Sequence, residues 1–104
     1  MVMLDFSMAP VGQGESVAPY VARCLEVIAA SGLDYRLHAM GTILEGEWEE
    51  VFAVLQRCYE ALKPDCSRIS CSIRVDYRQG SESRLESKVQ RVRDLVKQPL
   101  KTAT

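Results

Sequence analysis

Two stretches of strict alternation stand near the two ends of the chain. Over residues 2–8, Val2, Leu4, Phe6 and Met8 fall on one face, and Met3, Asp5 and Ser7 on the other. Over residues 68–76, Ile69, Cys71, Ile73 and Val75 oppose Ser70, Ser72, Arg74 and Asp76. A period of two identifies half-buried strands. Such strands need a sheet with one face packed on helices.

The sequence between them supplies those helices. From about Ser16, the positions Val17, Val21, Cys24, Leu25 and Ile28 form a helical stripe. Pro19 falls in the first turn, where a missing N–H does little harm, and Ser31-Gly32 supplies a stop. Residues 9–15, with Pro10, Gly12 and Gly14, read as a loop. Two short strands are predicted at 33–39 and 42–46, joined through Met40-Gly41 as a tight hairpin or bulge.

Glu47, Glu49 and Glu50 then open a second helix, where acidic residues suit the N-terminal dipole. Its buried face is read as Trp48, Val51, Phe52, Leu55, Cys58, Tyr59 and Leu62, ending at Lys63-Pro64-Asp65. After the turn at Gln79-Gly80-Ser81, a last helix starts near Ser83, with Ser83 and Glu86 as a capping box. Its stripe is Leu85, Val89, Val92 and Val96.

The order β-α-β-β-α-β followed by α is the split βαβ plan. The expected class is α+β: a ferredoxin-like βαββαβ sandwich with a four-stranded antiparallel sheet plus an extra C-terminal helix. Residues 1–97 are read as one domain and 98–104 as a frayed tail; 104 residues make one domain's worth of chain. Both main helices cover one face of the sheet. The other face presents Met3, Asp5, Ser7, Ser70, Ser72, Arg74 and Asp76. Its short side chains and complementary charges suit sheet-on-sheet association or a ligand cleft, and suit plain solvent exposure equally well. Asp5, Ser70, Ser72, Arg74 and Asp76 are the interface candidates.

Charge excludes some partners. The formal net charge is −1, which argues against a nucleic-acid binder. It is unevenly spread: residues 1–50 carry eight acids against two bases, and residues 84–101 carry six bases against two acids. A solvated basic helix explains the second cluster; so does a basic surface meeting the acidic surface of a neighbouring subunit. No apolar run approaches a membrane span, and Met1 leads into a strand pattern with no basic leader. Cys24, Cys58, Cys66 and Cys71 contain no C-x-x-C spacing. Three of them sit at apolar positions of periodic segments, where Cys acts as a small hydrophobe; Cys66, in a loop, is the candidate reactive thiol. The expected compartment is the reducing cytoplasm.

The chemistry that remains is sparse. Acylphosphatases share this plan and need an Asn to position water, and the sequence contains none. Base-stacking RNA binders need aromatics on the sheet's outer face, and none is read there. Gly12-x-Gly14 lacks the Lys and Ser/Thr of a P-loop. His38 is the sole histidine, with no further ligands at metal-binding spacing. No nucleophile–base–acid set is identifiable, so the chain is not read as an enzyme.

Interest concentrates in residues 35–48, which place hydroxyl, carboxylate and aromatic groups in a hairpin beside the first strand. Glu45 there is either an exposed strand-end residue or an acceptor for an amino group or cation. Trp48 is either core or a stacking platform.

At this stretch the chain resembles the small thiamine-binding, YkoF-like protein family. The resemblance rests on Leu4-Asp5-Phe6-Ser7-Met8-x-Pro10, Gly14-Glu15-Ser16-Val17-x-Pro19-Tyr20-Val21-Ala22-Arg23 and Ser31-Gly32-Leu33-x-Tyr35. It continues with Met40-Gly41-Thr42-x-x-Glu45-Gly46-Glu47-Trp48 and Val75-Asp76-Tyr77-Arg78. Where family members carry a polar residue and Pro before Met-Gly-Thr, this chain has His38 and Ala39. The resemblance implies a ferredoxin-like fold assembled through its sheets into dimers and tetramers, a homotetramer being expected. It also implies non-catalytic binding of thiamine or its hydroxymethylpyrimidine half, with no other cofactor. A thiamine site needs a carboxylate for the amino group or charge, hydroxyls for ring nitrogens and apolar or aromatic flanks. On that reading Glu45 accepts from the amino group, and Ser7 and Thr42 bond ring nitrogens. Tyr20, His38 or Trp48 flank the rings, and Met40 covers them. The alternative is an oligomeric protein-interaction module without a thiamine ligand.

Overall fold

The computed structural model describes residues 1–12, 14 and 16–102. Four strands form one antiparallel sheet: β1 (Val2–Pro10), β2 (Asp34–His38), β3 (Gly41–Gly46) and β4 (Ile69–Tyr77). Their order is β2-β3-β1-β4. Helices α1 (Ala18–Ala30) and α2 (Trp48–Leu62) lie on one face, and a 3-10 turn at Lys63–Asp65 closes α2. A shorter helix, α3 (Ser87–Leu95), follows β4. This is the α+β, ferredoxin-like arrangement with an extra C-terminal helix that the alternation and stripes predict. Among the described residues, no helix is long and apolar enough to cross a membrane.

The registers show why the alternation holds. Leu4 pairs with Leu44 and Phe6 with Thr42 on the helix side; Met3 pairs with Glu45 and Asp5 with Ile43 on the other. The core gathers Val2, Leu4, Phe6 and Met8 of β1, Leu44 of β3, Cys24 and Ile28 of α1, and Val51, Val54, Cys58 and Leu62 of α2. Pro19 stands in the first turn of α1, and Ser31 ends it, its hydroxyl donating to the Ile28 carbonyl at 2.6 Å. At the start of α2, Glu50 Oε1 accepts the Glu47 backbone N–H at 2.9 Å, satisfying a donor that the first turn leaves free.

Several expectations are corrected. Strand β1 runs on through Pro10, so the expected loop at 9–15 begins later; residues 13 and 15 of it lie outside the described residues. So do residues 103 and 104 of the expected tail. Helix α1 begins at Ala18 rather than Ser16. Trp48 is 52% exposed, not core: it occupies the first position of α2, just past the end of β3, and leans on Phe52 with ring centroids 4.6 Å apart. Tyr59 is exposed as well, and Val54, absent from the expected stripe, is buried in its place. Cys71 is exposed: it lies on the edge strand β4, at the margin of the helix-covered face.

The expected capping box at Ser83 and Glu86 does not form, and α3 starts at Ser87. The backbone N–H of Arg84 donates to Glu45 Oε2 of the sheet at 2.7 Å. That contact seats Arg84 and Leu85, 6% and 5% exposed, over the Glu45 end of the face the helices leave uncovered. The face expected to be open is therefore half closed by its own chain.

Candidate functional site

An apolar cavity opens at the end of β1 farthest from α3. Its floor is Phe6 and Met8, its ceiling Val21 and Leu25 of α1, and its side wall Leu37 and Thr42 of the β2–β3 hairpin. It encloses about 190 Å³. These residues meet because β1 ends beside the hairpin while α1, entered through the Gly12-Gly14 loop, crosses above both. Thr42 is 3% exposed, and among the described residues its hydroxyl has no hydrogen-bond partner, although it is not sealed from the cavity. Among the described residues that line the space, it is the one side-chain hydroxyl aimed to the helix side, and none is a carboxylate.

The hairpin tip divides this cavity from a shallow depression of about 250 Å³ on the opposite sheet face. His38 and Met40 border both. Asp5 lies in the depression, taking His38 Nε2 on Oδ1 at 2.9 Å and Arg74 Nη2 on Oδ2 at 3.0 Å. Partial burial pushes the Asp5 carboxyl up, but the hydrogen bonds and charges of His38 and Arg74 outweigh it and hold the group below its ordinary value. The Met40 backbone N–H donates to His38 Nδ1 at 3.2 Å, which leaves Nε2 as the protonated nitrogen facing Asp5.

Of the residues expected to hold a ligand, Ser7, His38, Met40 and Thr42 border the cavity together. Ser7 does so from β1 with its side chain on the Asp5 face, as its place in the alternation requires. Tyr20, Glu45 and Trp48 are elsewhere. Tyr20 packs under the Arg23 guanidinium, 5.1 Å from the ring centroid. Glu45 lies on the opposite sheet face, three residues or about 10 Å along β3 from Thr42, its carboxylate engaged by Arg84. Trp48 stands at the far end of the molecule, next to Gly46. Val21, Leu25 and Leu37 line the cavity although no reading of the sequence selects them. As ordinary stripe and strand positions they carry no chemical signal.

Of the expected interface residues, Asp5 and Arg74 pair with one another, and Ser70 and Ser72 are exposed along β4. Asp76 is held within the chain by Arg84 Nη1 at 2.9 Å and Lys88 Nζ at 3.3 Å. The Lys88 contact, with the neighbouring guanidinium, draws its carboxyl below the ordinary value. Among the described residues, no group of three or more His, Cys, Asp or Glu is placed to hold a metal.

Comparison with known proteins agrees with this architecture. A UPF0045 protein of Synechocystis is 40% identical over 92 residues, spanning 88% of this chain and 76% of its own length. A UPF0045 protein of Mycobacterium bovis is 38% identical over 99 residues, spanning 94% and 97%. The crystal structure of a Methanocaldococcus jannaschii protein superposes with a TM-score of 0.81 at 30% identity, covering 89% of this chain and 96% of that one. The family model described as thiamine-binding protein matches residues 4–93, nearly the whole folded part, and the chain belongs to that family.

Proposed function

We propose that this protein binds thiamine or its hydroxymethylpyrimidine half, without catalysis, in the cavity between α1 and the β2–β3 hairpin. The observation that carries this reading is an apolar cavity with one unpartnered hydroxyl, Thr42, in its wall. An apolar cavity of about 150 Å³ accepts a benzene ring. The space here, about 190 Å³, matches one substituted six-membered ring, not two linked rings. The pyrimidine therefore enters, with Thr42 bonding a ring nitrogen, and the thiazolium of thiamine stays at the mouth beside Ala39 and Met40. The family's description supports the ligand class. A Thermotoga maritima neighbour of the same fold, 23% identical, is described as a candidate thiamine biosynthesis or salvage protein.

The proposal includes self-assembly. Strand β4 offers nine residues along an unpaired edge, with Ile73, Val75 and Tyr77 exposed. A long apolar edge strand invites pairing with another chain, and a second copy is the simplest partner. The four free cysteines suit a reducing cytoplasm. The same exposed β4 also favours a second reading, a module whose purpose is that assembly and whose cavity holds no thiamine.

The test is isothermal titration of the purified protein with thiamine and, in parallel, with hydroxymethylpyrimidine. Saturable heat is expected with both, lost in Val21→Phe, which fills the cavity, while circular dichroism and sedimentation stay as in the parent. No heat with either ligand from folded, assembled protein would leave the interaction module standing.

A further inference from the structure

The opposite end of the sheet carries a second cavity of contrary chemistry. It encloses about 210 Å³ between the link that follows β4 and the start of α3. Three arginines, Arg78, Arg84 and Arg91, face it, together with Ser81, Ser87 and a single acid, Glu82. The chain as a whole is slightly acidic, at −1, so this cationic concentration is local rather than a reflection of general charge.

One wall is a buried, fixed side chain, and the rest of the lining is exposed. Arg84 is the fixed element: its side chain is 7% exposed, Nη1 donates to Asp76 Oδ2, and Nη2 donates to the carbonyls of Asp76 at 3.1 Å and Met1 at 3.4 Å. The rim is tied to β1. The Arg78 N–H donates to the Met1 carbonyl at 3.1 Å, and the Met1 nitrogen donates to the carbonyls of Arg78 and Gly80 at 2.9 and 2.7 Å. Gly80 permits that closure with a φ of 109°. The Ser87 hydroxyl donates to the Ser83 carbonyl at 3.2 Å.

Against this fixed frame, the Arg78 and Arg91 guanidinium groups have no hydrogen-bond or ion-pair partner among the described residues, and neither has Glu82. Asp76 balances Arg84, so the cavity retains two guanidinium charges against one carboxylate. Guanidinium forks match the tetrahedral oxygens of phosphate in geometry and charge.

We propose that this cavity is a binding site for a phosphate-type oxyanion, with Arg78 and Arg91 closing on the anion beside the immobile Arg84. It is separate from the proposed thiamine cavity: Met1 and Met8 are seven residue steps, about 23 Å of strand, apart. The two sites therefore fill independently. Inorganic phosphate and the terminal group of a phosphate monoester share the recognised chemistry, and the volume accommodates the anion with the first atoms of an ester.

The test is titration of the full chain at low ionic strength with inorganic phosphate and, separately, with phenyl phosphate, in buffers free of other polyvalent anions. Saturable binding is expected with at least one. Phosphate alone marks a free-anion site; tighter phenyl phosphate marks a monoester site. Arg78→Ala and Arg91→Ala should each weaken binding about ten-fold, the equivalent of one charge-assisted contact. Glu82→Gln should tighten it several-fold by removing the opposing charge. Arg57→Ala, an exposed arginine of α2 outside the cavity, and Val21→Phe should leave it unchanged. Absence of saturable binding by the parent protein overturns the proposal. So does an Arg57→Ala loss equal to that of Arg91→Ala, which would reduce the effect to general attraction.

Discussion

His38 Nε2 stands 2.9 Å from Oδ1 of Asp5, and between the two strands that carry them lies Gly41, which has no side chain to keep them apart. With Nδ1 receiving the Met40 N–H, one imidazole pins the hairpin tip to the central strand. The ligand cavity and the sheet face thus share a wall.

That latch has a pH dependence of definite sign. The Asp5 carboxyl titrates below its ordinary value in the folded protein, so its contribution is fully present above the unfolded value of about 3.9 and is lost as pH falls through the lower folded value. The parent should exceed Asp5→Asn in stability by about 1 kcal/mol at neutral pH, solvent screening of the exposed Arg74 included. The gap should close as pH falls below 4 (about the unfolded value). Urea denaturation of both proteins from pH 7 to pH 3 measures it; a gap that persists at the acid end contradicts the assignment.

Gly41 is the point where the hairpin comes closest to β1. A Cβ built there would lie 2.5 Å from the Phe6 carbonyl oxygen, and backbone cannot yield as a side chain can. Gly41→Ala should cost about 1–3 kcal/mol, the usual range for overpacking, and should weaken pyrimidine binding by shifting Thr42. Denaturation midpoints and titration heats together check this; unchanged values in both would mean that the strands separate freely.

Glu45 should prove structural. It is 4% exposed and accepts the Arg84 N–H at 2.7 Å. Glu45→Ala leaves that amide unpaired and should cost about 1–3 kcal/mol, with faster amide exchange at Arg84 and Leu85. Ligand heats should hold, because Thr42 faces the other side of the sheet. Loss of pyrimidine binding with exchange unaltered would return Glu45 to the ligand.

Strand β4 should govern assembly. Ile73 and Val75 are 43% and 39% exposed on the edge strand, and Lys at such positions discourages edge pairing. Sedimentation should show an oligomer for the parent and a monomer for Ile73→Lys/Val75→Lys, with ligand heats retained per chain. A monomeric parent removes self-assembly from the proposal.

The site was only partly legible before folding. His38, Met40 and Thr42 of the hairpin and Ser7 of β1 are named through the family resemblance, which their imidazole, thioether and hydroxyl groups suit. Val21, Leu25 and Leu37 could not be named, since an apolar residue that lines a cavity has the same periodicity as one that fills a core. Glu45 and Trp48 are close to Thr42 in sequence, yet alternation sends Glu45 to the other face and the helix start carries Trp48 past the end of β3.

Local order was written in the sequence. Alternation in β1 and β4, the α1 and α2 stripes and the order of the elements were enough to specify an antiparallel sheet with helices on one side, because each rests on periods of 2 and 3.6. Long-range pairing decided the rest. Nothing local marks Glu45 as the acceptor of the Arg84 N–H; only the folded sheet brings that carboxylate within 2.7 Å of it. That contact covers part of the open face and brings Arg84 beside Arg78 and Arg91 around the arginine cavity.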